Sequence, residues 1–192
     1  MTILLTGFEP FGGAATNSSW QAVRRLSGIP GLVTAELPVE FGRSTDVLGA
    51  LIAEHQPAVV IAVGVAAGRS SVTPERVAIN LEDARIPDNA GGQPRERAIV
   101  AGGPAGLFSA LPVARIAGAI LAAGIPSEVS LSAGTYVCNS VMYSLLSDLD
   151  DGVIGGFIHV PAESELPLEQ IVRALEIAVR VTLEEQAAAS VE

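Results

Sequence analysis

The run PAVVIAVGVAAG (57–68) is the longest strongly apolar stretch of the chain. At 12 residues it falls well short of the roughly 20 that a membrane span needs. Its first part, PAVVIAVGV (57–65), is rich in β-branched residues and has no polar alternation. A strand of this kind is covered on both faces, as in the interior of a parallel sheet. The rest of the chain fits around it. TILLT (2–6), LVTAELPV (32–39), SEVSLSA (127–133) and GVIGGFIHVP (152–161) read as further strands. NSSWQAVRRL (17–26), with an Asn or Ser cap, reads as a helix. So do RSTDVLGALIAEHQ (43–56), with Ser44 or Thr45 as cap, and PVARIAGAILAAG (112–124), ending at Gly124. VCNSVMYSLLSDL (137–149) and PLEQIVRALEIAVRVTLEEQ (167–186), with Pro167 near its first turn, complete the set. Strand and helix alternate, which predicts an α/β fold: a three-layer α/β/α sandwich around a mainly parallel, mixed, twisted sheet.

The length of 192 residues suits one domain spanning 1–192. The tail AAASVE (187–192) is expected to fray. One segment breaks the alternation. NLEDARIPDNAGGQPRERAIVAGGPAG (80–106) is polar, rich in Gly and Pro, and long, which marks it as a lid or a site wall.

Charge and composition exclude several functions. The net charge of −10 disfavours nucleic acid, whose phosphates demand a basic face. All 11 basic residues are arginine, which removes chemistry built on a lysine Schiff base or a P-loop lysine. One cysteine and two histidines, without metal-type spacing, argue against a metal site. The N-terminus MTILLTGFEP lacks a basic region and a signal-length apolar core. The expectation is a cytoplasmic protein with no membrane partner.

The single cysteine, Cys138, stands where a small-residue segment gives way to a helical pattern. A thiol in the first helical turn faces free N–H groups and the positive end of the helix dipole, which lower its pKa and favour the thiolate. The alternative is a buried core cysteine. His159, 21 residues on, ends the next predicted strand. Parallel neighbours would bring the two together at the carboxyl end of the sheet, as nucleophile and general base. His55 closes a predicted surface helix, where it complements the dipole. A base needs an acceptor to orient it, and Glu75, Glu82 and Asp83 all remain candidates. The loop TGFEPFGG (6–13) lacks the Lys and Ser/Thr of a phosphate loop. Its Phe8 and Phe11 either wall an apolar pocket or anchor the loop to the core.

Together these stretches resemble the pyroglutamyl-peptidase I, or pyrrolidone-carboxylate peptidase, family of cysteine peptidases. LLTGFEPFGG, GVAAGRSSVTPERVAIN, DARIPDN, SAGTYVCNSVMYSLL and GFIHVP carry the resemblance, in order, over nearly the whole chain. It implies a single α/β/α domain, a phosphorylase/hydrolase-like fold, no cofactor, and assembly as dimers or tetramers. It implies hydrolysis of the bond after an N-terminal pyroglutamyl (5-oxoproline) residue of a peptide. Cys138 would then be the nucleophile, His159 the base and acid, and Glu75 the orienter. Arg85 would stand by the oxyanion with the Cys138 N–H. Phe8, Phe11, Ile86, Tyr136 and Val137 would enclose the lactam ring, with the Tyr136 hydroxyl near it. The chain departs from the family at HVPAESELP after the histidine, and at Val65, where a glutamine is common. The competing expectations are a nucleoside-phosphorylase-like enzyme and an inactive binding protein on the same fold.

Overall fold

The computed structural model of the protein describes residues 1–189. The elements run β1 (Ile3–Phe8), α1 (Ser18–Val23), β2 (Leu32–Leu37), α2 (Arg43–His55), β3 (Val59–Val65), β4 (Thr73–Pro74), β5 (Val77–Ile79), β6 (Gly106–Phe108), α3 (Val113–Ala122), α4 (Val137–Asp148), β7 (Ile154–Val160) and α5 (Leu168–Ala189). The main sheet has the order β2-β1-β3-β7-β4. Its first four strands are parallel and β4 is antiparallel to β7. The apolar run thus forms β3, the central strand, as its composition requires.

Side-chain alternation divides the core in two. Ile3 and Leu5, Val59, Ile61 and Val63, and Ile158 and Val160 pack with α1, α3 and α5 on one face. Leu4 and Phe8, Val60 and Ala62, and Phe157 pack with α2 and α4 on the other. Each helix contributes one apolar stripe. In α5 this is Ile171, Ala174, Leu175, Ala178 and Val181, at helical spacing, all buried. Helix α1 lies so close to β1 that a Cβ on Gly7 would sit 2.6 Å from the Trp20 backbone. Only glycine permits that approach.

Several expectations change in detail. The expected strand 127–133 meets the sheet only through isolated bridges, Val72 to Ser127 and Glu75 to Ser130. The cause is β4, which is two residues long and ends in Pro74, a residue with no N–H to donate. Helix α2 begins after Gly42 with no side-chain cap, and the Ser44 hydroxyl donates to the Glu40 carbonyl instead. Helix α1 stops at Val23 rather than at 26. Helix α5 runs to Ala189, through part of the expected frayed tail, whose residues 190–192 lie outside the described residues.

The long polar segment is firmly tied. Glu82 and Arg97 exchange backbone hydrogen bonds at 2.7 and 2.9 Å. The Asp88 carboxylate accepts from the N–H groups of Phe41, Ala90 and Gly92. Asn80 bonds Val100 through both its amide N–H and its carbonyl. The segment's last residue, Gly106, opens β6, which pairs with β5 as a small antiparallel hairpin.

Candidate active site

The carboxyl ends of β1, β3 and β7 open on one edge of the sheet, where Phe8, Val65 and His159 lie. His159 is two residues beyond Phe157 and so faces the same side of the sheet as that ring, the side covered by α4. Their ring centroids are 4.8 Å apart. Cys138 is the second residue of α4 and reaches down to the same place. A Cβ on Gly64, the register partner of His159, would lie 2.8 Å from the Cys138 sulfur. The missing side chain at Gly64 is the space that the thiol occupies.

Glu75 follows β4, and its N–H donates to the Phe157 carbonyl at 2.9 Å. This fixes the residue beside β7 with its side chain fully buried. The His159 Nδ1 is 2.7 Å from Glu75 Oε1. The same oxygen accepts a 2.7 Å bond from Arg69, whose guanidinium also donates to Thr73 Oγ1 and the Ser132 carbonyl. Among the described residues Glu75 Oε2 has no hydrogen-bond partner. Burial pushes the Glu75 carboxyl upward, but the hydrogen bond and charge of His159, with the hydrogen bond from Arg69, outweigh it and hold it below the ordinary value. An ionised carboxylate only accepts, so Nδ1 carries the proton and Nε2 is left as the basic nitrogen.

Of the three candidate orienting carboxylates, only Glu75 reaches the histidine. Glu82 is buried and serves the loop, accepting from Ser140 Oγ at 2.6 Å and from Arg97. Asp83 pairs with Arg95 at 3.4 Å. His55 ends α2 just before β3 begins, at the opposite end of the sheet.

The thiol differs from expectation. Cys138 is partly buried, and burial pushes its pKa up to about 12. The Glu75 carboxylate adds to the rise, while its own backbone N–H and Arg69 oppose it. Desolvation overcomes the helix N-terminus, so the resting side chain is a neutral thiol. Tyr136 caps α4 without a side-chain hydrogen bond, and the first-turn N–H groups have no intrahelical acceptor. They are available to an oxyanion.

The predicted pocket residues divide into two groups. Phe8, Phe11, Tyr136 and Val137 line a narrow apolar slot with Cys138 and Val65. Its cavity volume of about 10 Å³ is room for roughly one water. Phe8 is also a core residue, so it both walls the slot and anchors the loop. Arg85 and Ile86 are exposed and line an adjoining cleft of about 340 Å³ beside Phe11 and Tyr136. The Tyr136 hydroxyl does not face the slot. It donates to the Pro87 carbonyl at 3.0 Å while its ring stacks edge-on against Phe41. Among the described residues no group of His, Cys, Asp and Glu is placed to hold a metal.

The sequence profile of the family described as pyroglutamyl peptidase matches residues 1–185. The chain belongs to that family. Its relatives include the pyrrolidone-carboxylate peptidase of Klebsiella pneumoniae (strain 342), 48% identical over 94% of this chain and 92% of the relative. The crystal structure of pyroglutamyl peptidase I from Bacillus amyloliquefaciens superposes with a TM-score of 0.90 at 45% identity, over 94% of each chain. A mutant pyrrolidone carboxyl peptidase from Pyrococcus furiosus gives 0.90 at 38% identity, over 96% of this chain and 99% of its own. The family match leaves the phosphorylase-like and inactive-binder alternatives without support.

Three features of this pyroglutamyl peptidase family member escape a reading by residue type. Arg69 was hidden because an arginine 6 residues before a glutamate reads as an ordinary surface charge. Asn139, fully buried, donates to the Ile79 and Leu81 carbonyls and accepts from the Ile79 N–H, clamping β5 to α4 behind Cys138. Its signal was its place beside the cysteine in an otherwise apolar turn. Gly64 sat inside the strongest strand signal, where a glycine marks a close approach.

Proposed function

We propose that Cys138, His159 and Glu75 carry out the reaction of the pyroglutamyl peptidase family on this chain: hydrolysis of the amide bond after an N-terminal pyroglutamyl residue. The observation that carries this reading is the 2.7 Å contact between His159 Nδ1 and a fully buried, ionised Glu75. That contact leaves Nε2 as a base on the face of the sheet where the thiol lies. Because the resting thiol is neutral, its proton passes to His159 as the sulfur attacks the pyroglutamyl carbonyl carbon. The free N–H groups at the start of α4 receive the oxyanion. His159 then protonates the leaving nitrogen, the C–N bond breaks, and a thioester remains. Water, losing a proton to His159, attacks the thioester. Pyroglutamate departs and the sulfur regains its proton.

Phe8, Phe11, Val137 and the edge of the Tyr136 ring suit a compact, uncharged lactam. The slot must widen to take it, and partly exposed Phe11 is the wall free to move. Arg85 and Ile86 would guide the substrate from the adjoining cleft, with Arg85 supporting the oxyanion. Residues 1–192 are taken as one peptidase domain, because both core clusters share one sheet. A cytoplasmic homo-oligomer, dimer or tetramer, without cofactor, nucleic acid or membrane partner, completes the proposal. Exposed Phe108 and Leu131 offer apolar surface for self-association. Among the described residues no helix is long and apolar enough to cross a membrane. The test is release of a fluorescent amine from a pyroglutamyl amide. Wild type is expected to turn over and Cys138→Ala to be inactive. No turnover by wild type, or equal turnover by the variant, refutes the assignment.

A further inference from the structure

A second cleft, of about 490 Å³, opens beside the slot that holds Cys138. The two share Phe11, Asn17 and Val65 as a common wall. The far wall of the cleft is Ala162, Glu163 and Ser164, which directly follow β7 and His159. That wall is built into the fold at both ends. The Ser18 hydroxyl donates to the Pro161 carbonyl at 2.7 Å. Leu166 is buried in the core, and the N–H groups of Glu165 and Leu166 both return to the Ala162 carbonyl. Glu163 is therefore presented on a fixed turn.

Direction of the reaction selects this cleft for the leaving peptide. The pyroglutamyl ring takes the slot, and the nitrogen beyond the scissile bond must come to His159 to be protonated. The residue carrying that nitrogen therefore continues from the slot into an adjoining cleft, and this cleft is walled by the chain that leaves the carboxyl end of β7 just after His159. The other cleft, lined by Asp83 and Arg85, meets the slot at Phe11 and Tyr136 and adjoins this one at Ala67 and Ile86, with no residue of the chain after β7 in its wall. Charge then names the occupant. Glu163 is the sole charged residue among those lining the 490 Å³ cleft, and among the described residues it forms no ion pair. The remaining walls are apolar or neutral.

We propose that this cleft seats the residue immediately after pyroglutamate, and that Glu163 makes it favour a cationic side chain over an anionic one. The inference rests on the function proposed above and adds the class of peptide that the site prefers.

The test compares kcat/KM for pyroglutamyl-arginine amide and pyroglutamyl-glutamate amide, followed by release of pyroglutamate. At about 10 mM ionic strength, where screening is weak, wild type should favour the arginine substrate about three- to tenfold. At about 1 M the ratio should fall toward one, since charges then interact over roughly 3 Å. Glu163→Gln should bring the low-salt ratio toward one, and Glu163→Arg should invert it. A ratio of substrates is read, so a general change in activity cancels. A wild-type ratio of one at low salt, or an unchanged ratio in Glu163→Gln, overturns the inference while leaving the proposed function standing. Failure of wild type to release pyroglutamate from either substrate overturns both.

Discussion

Replacing Gly64 by alanine puts one methyl group where the Cys138 sulfur lies. The added Cβ would stand 2.8 Å from Sγ and 2.8 Å from Phe157 Cζ, against ordinary contacts of 3.4–4 Å. One partner must retreat by at least about 0.6 Å to relieve each contact. The ring has little room, because it lies against His159 at 4.8 Å and Phe8 at 6.3 Å between ring centroids. The thiol is the part that moves. Overpacking of this kind costs about 1–3 kcal/mol, or roughly 2–4 °C in Tm per kcal/mol for a chain of this size. A displacement near 1 Å at a reacting atom costs about 100-fold in rate, equivalent to about 2.7 kcal/mol in the barrier. Gly64→Ala should therefore lose about 100-fold in activity on a pyroglutamyl amide while melting only about 2–12 °C lower, so that the enzyme is impaired although it is still folded at assay temperature. The control is Gly118→Ala on α3, where a Cβ meets nothing within 4 Å. There alanine should stabilise the helix by about 0.5–1 kcal/mol. Thermal melting and steady-state kinetics on the three proteins decide the matter. Wild-type kcat/KM and Tm in Gly64→Ala would refute the placement of the thiol against β3.

Other consequences follow from the same cluster. Arg69→Met removes a 2.7 Å charged hydrogen bond from Glu75. The arginine side chain is 34% exposed, so water replaces part of it, and the loss should be about 1–3 kcal/mol. Arg69→Lys should recover part of this, and equal melting of Met variant and wild type would contradict it. The folded-state pKa of Glu75 is lowered, so its stabilisation is complete above the ordinary value of 4.5 and is lost as pH falls through the folded value. Melting from pH 6 to pH 3, at about unit steps, should fall more steeply in wild type than in Glu75→Gln, and parallel curves would count against an ionised Glu75. With the Cys138 thiol pushed up to about 12, alkylation of the free enzyme by iodoacetamide should be slow at neutral pH. It should rise about tenfold per pH unit, following the thiolate fraction. A plateau reached below pH 8, roughly the ordinary thiol range, would mean that a resting thiolate exists.

These tests all concern interactions between segments distant in the chain, and that is where sequence reading ran out. Hydrophobic period identified β1, β2, β3, β7 and the five helices, because each buries a face whose spacing is written locally. It missed β4 and β6 and overextended 127–133, because two- and three-residue strands are made by pairing rather than by pattern. The site divides along the same line. Cys138 and His159 were legible because each ends or starts an element, and parallel topology brings such ends together. The choice of Glu75 over Glu82 and Asp83 was not legible from residue type, since all three are acids close together between positions 75 and 83. What separates them is the register of β4 on β7, where Thr73 faces His159 and the next residues turn Glu75 inward. The thiol's acidity was misjudged for a related reason. A helix start argues for a lowered pKa, but Gly64, Phe157 and the slot residues close around the sulfur, and desolvation outweighs the dipole. A neutral resting thiol gives His159 a defined task, since the nucleophile forms only when the base takes its proton. The Glu75 and Arg69 partners that hold that base are then part of making the nucleophile as well as of orienting the ring.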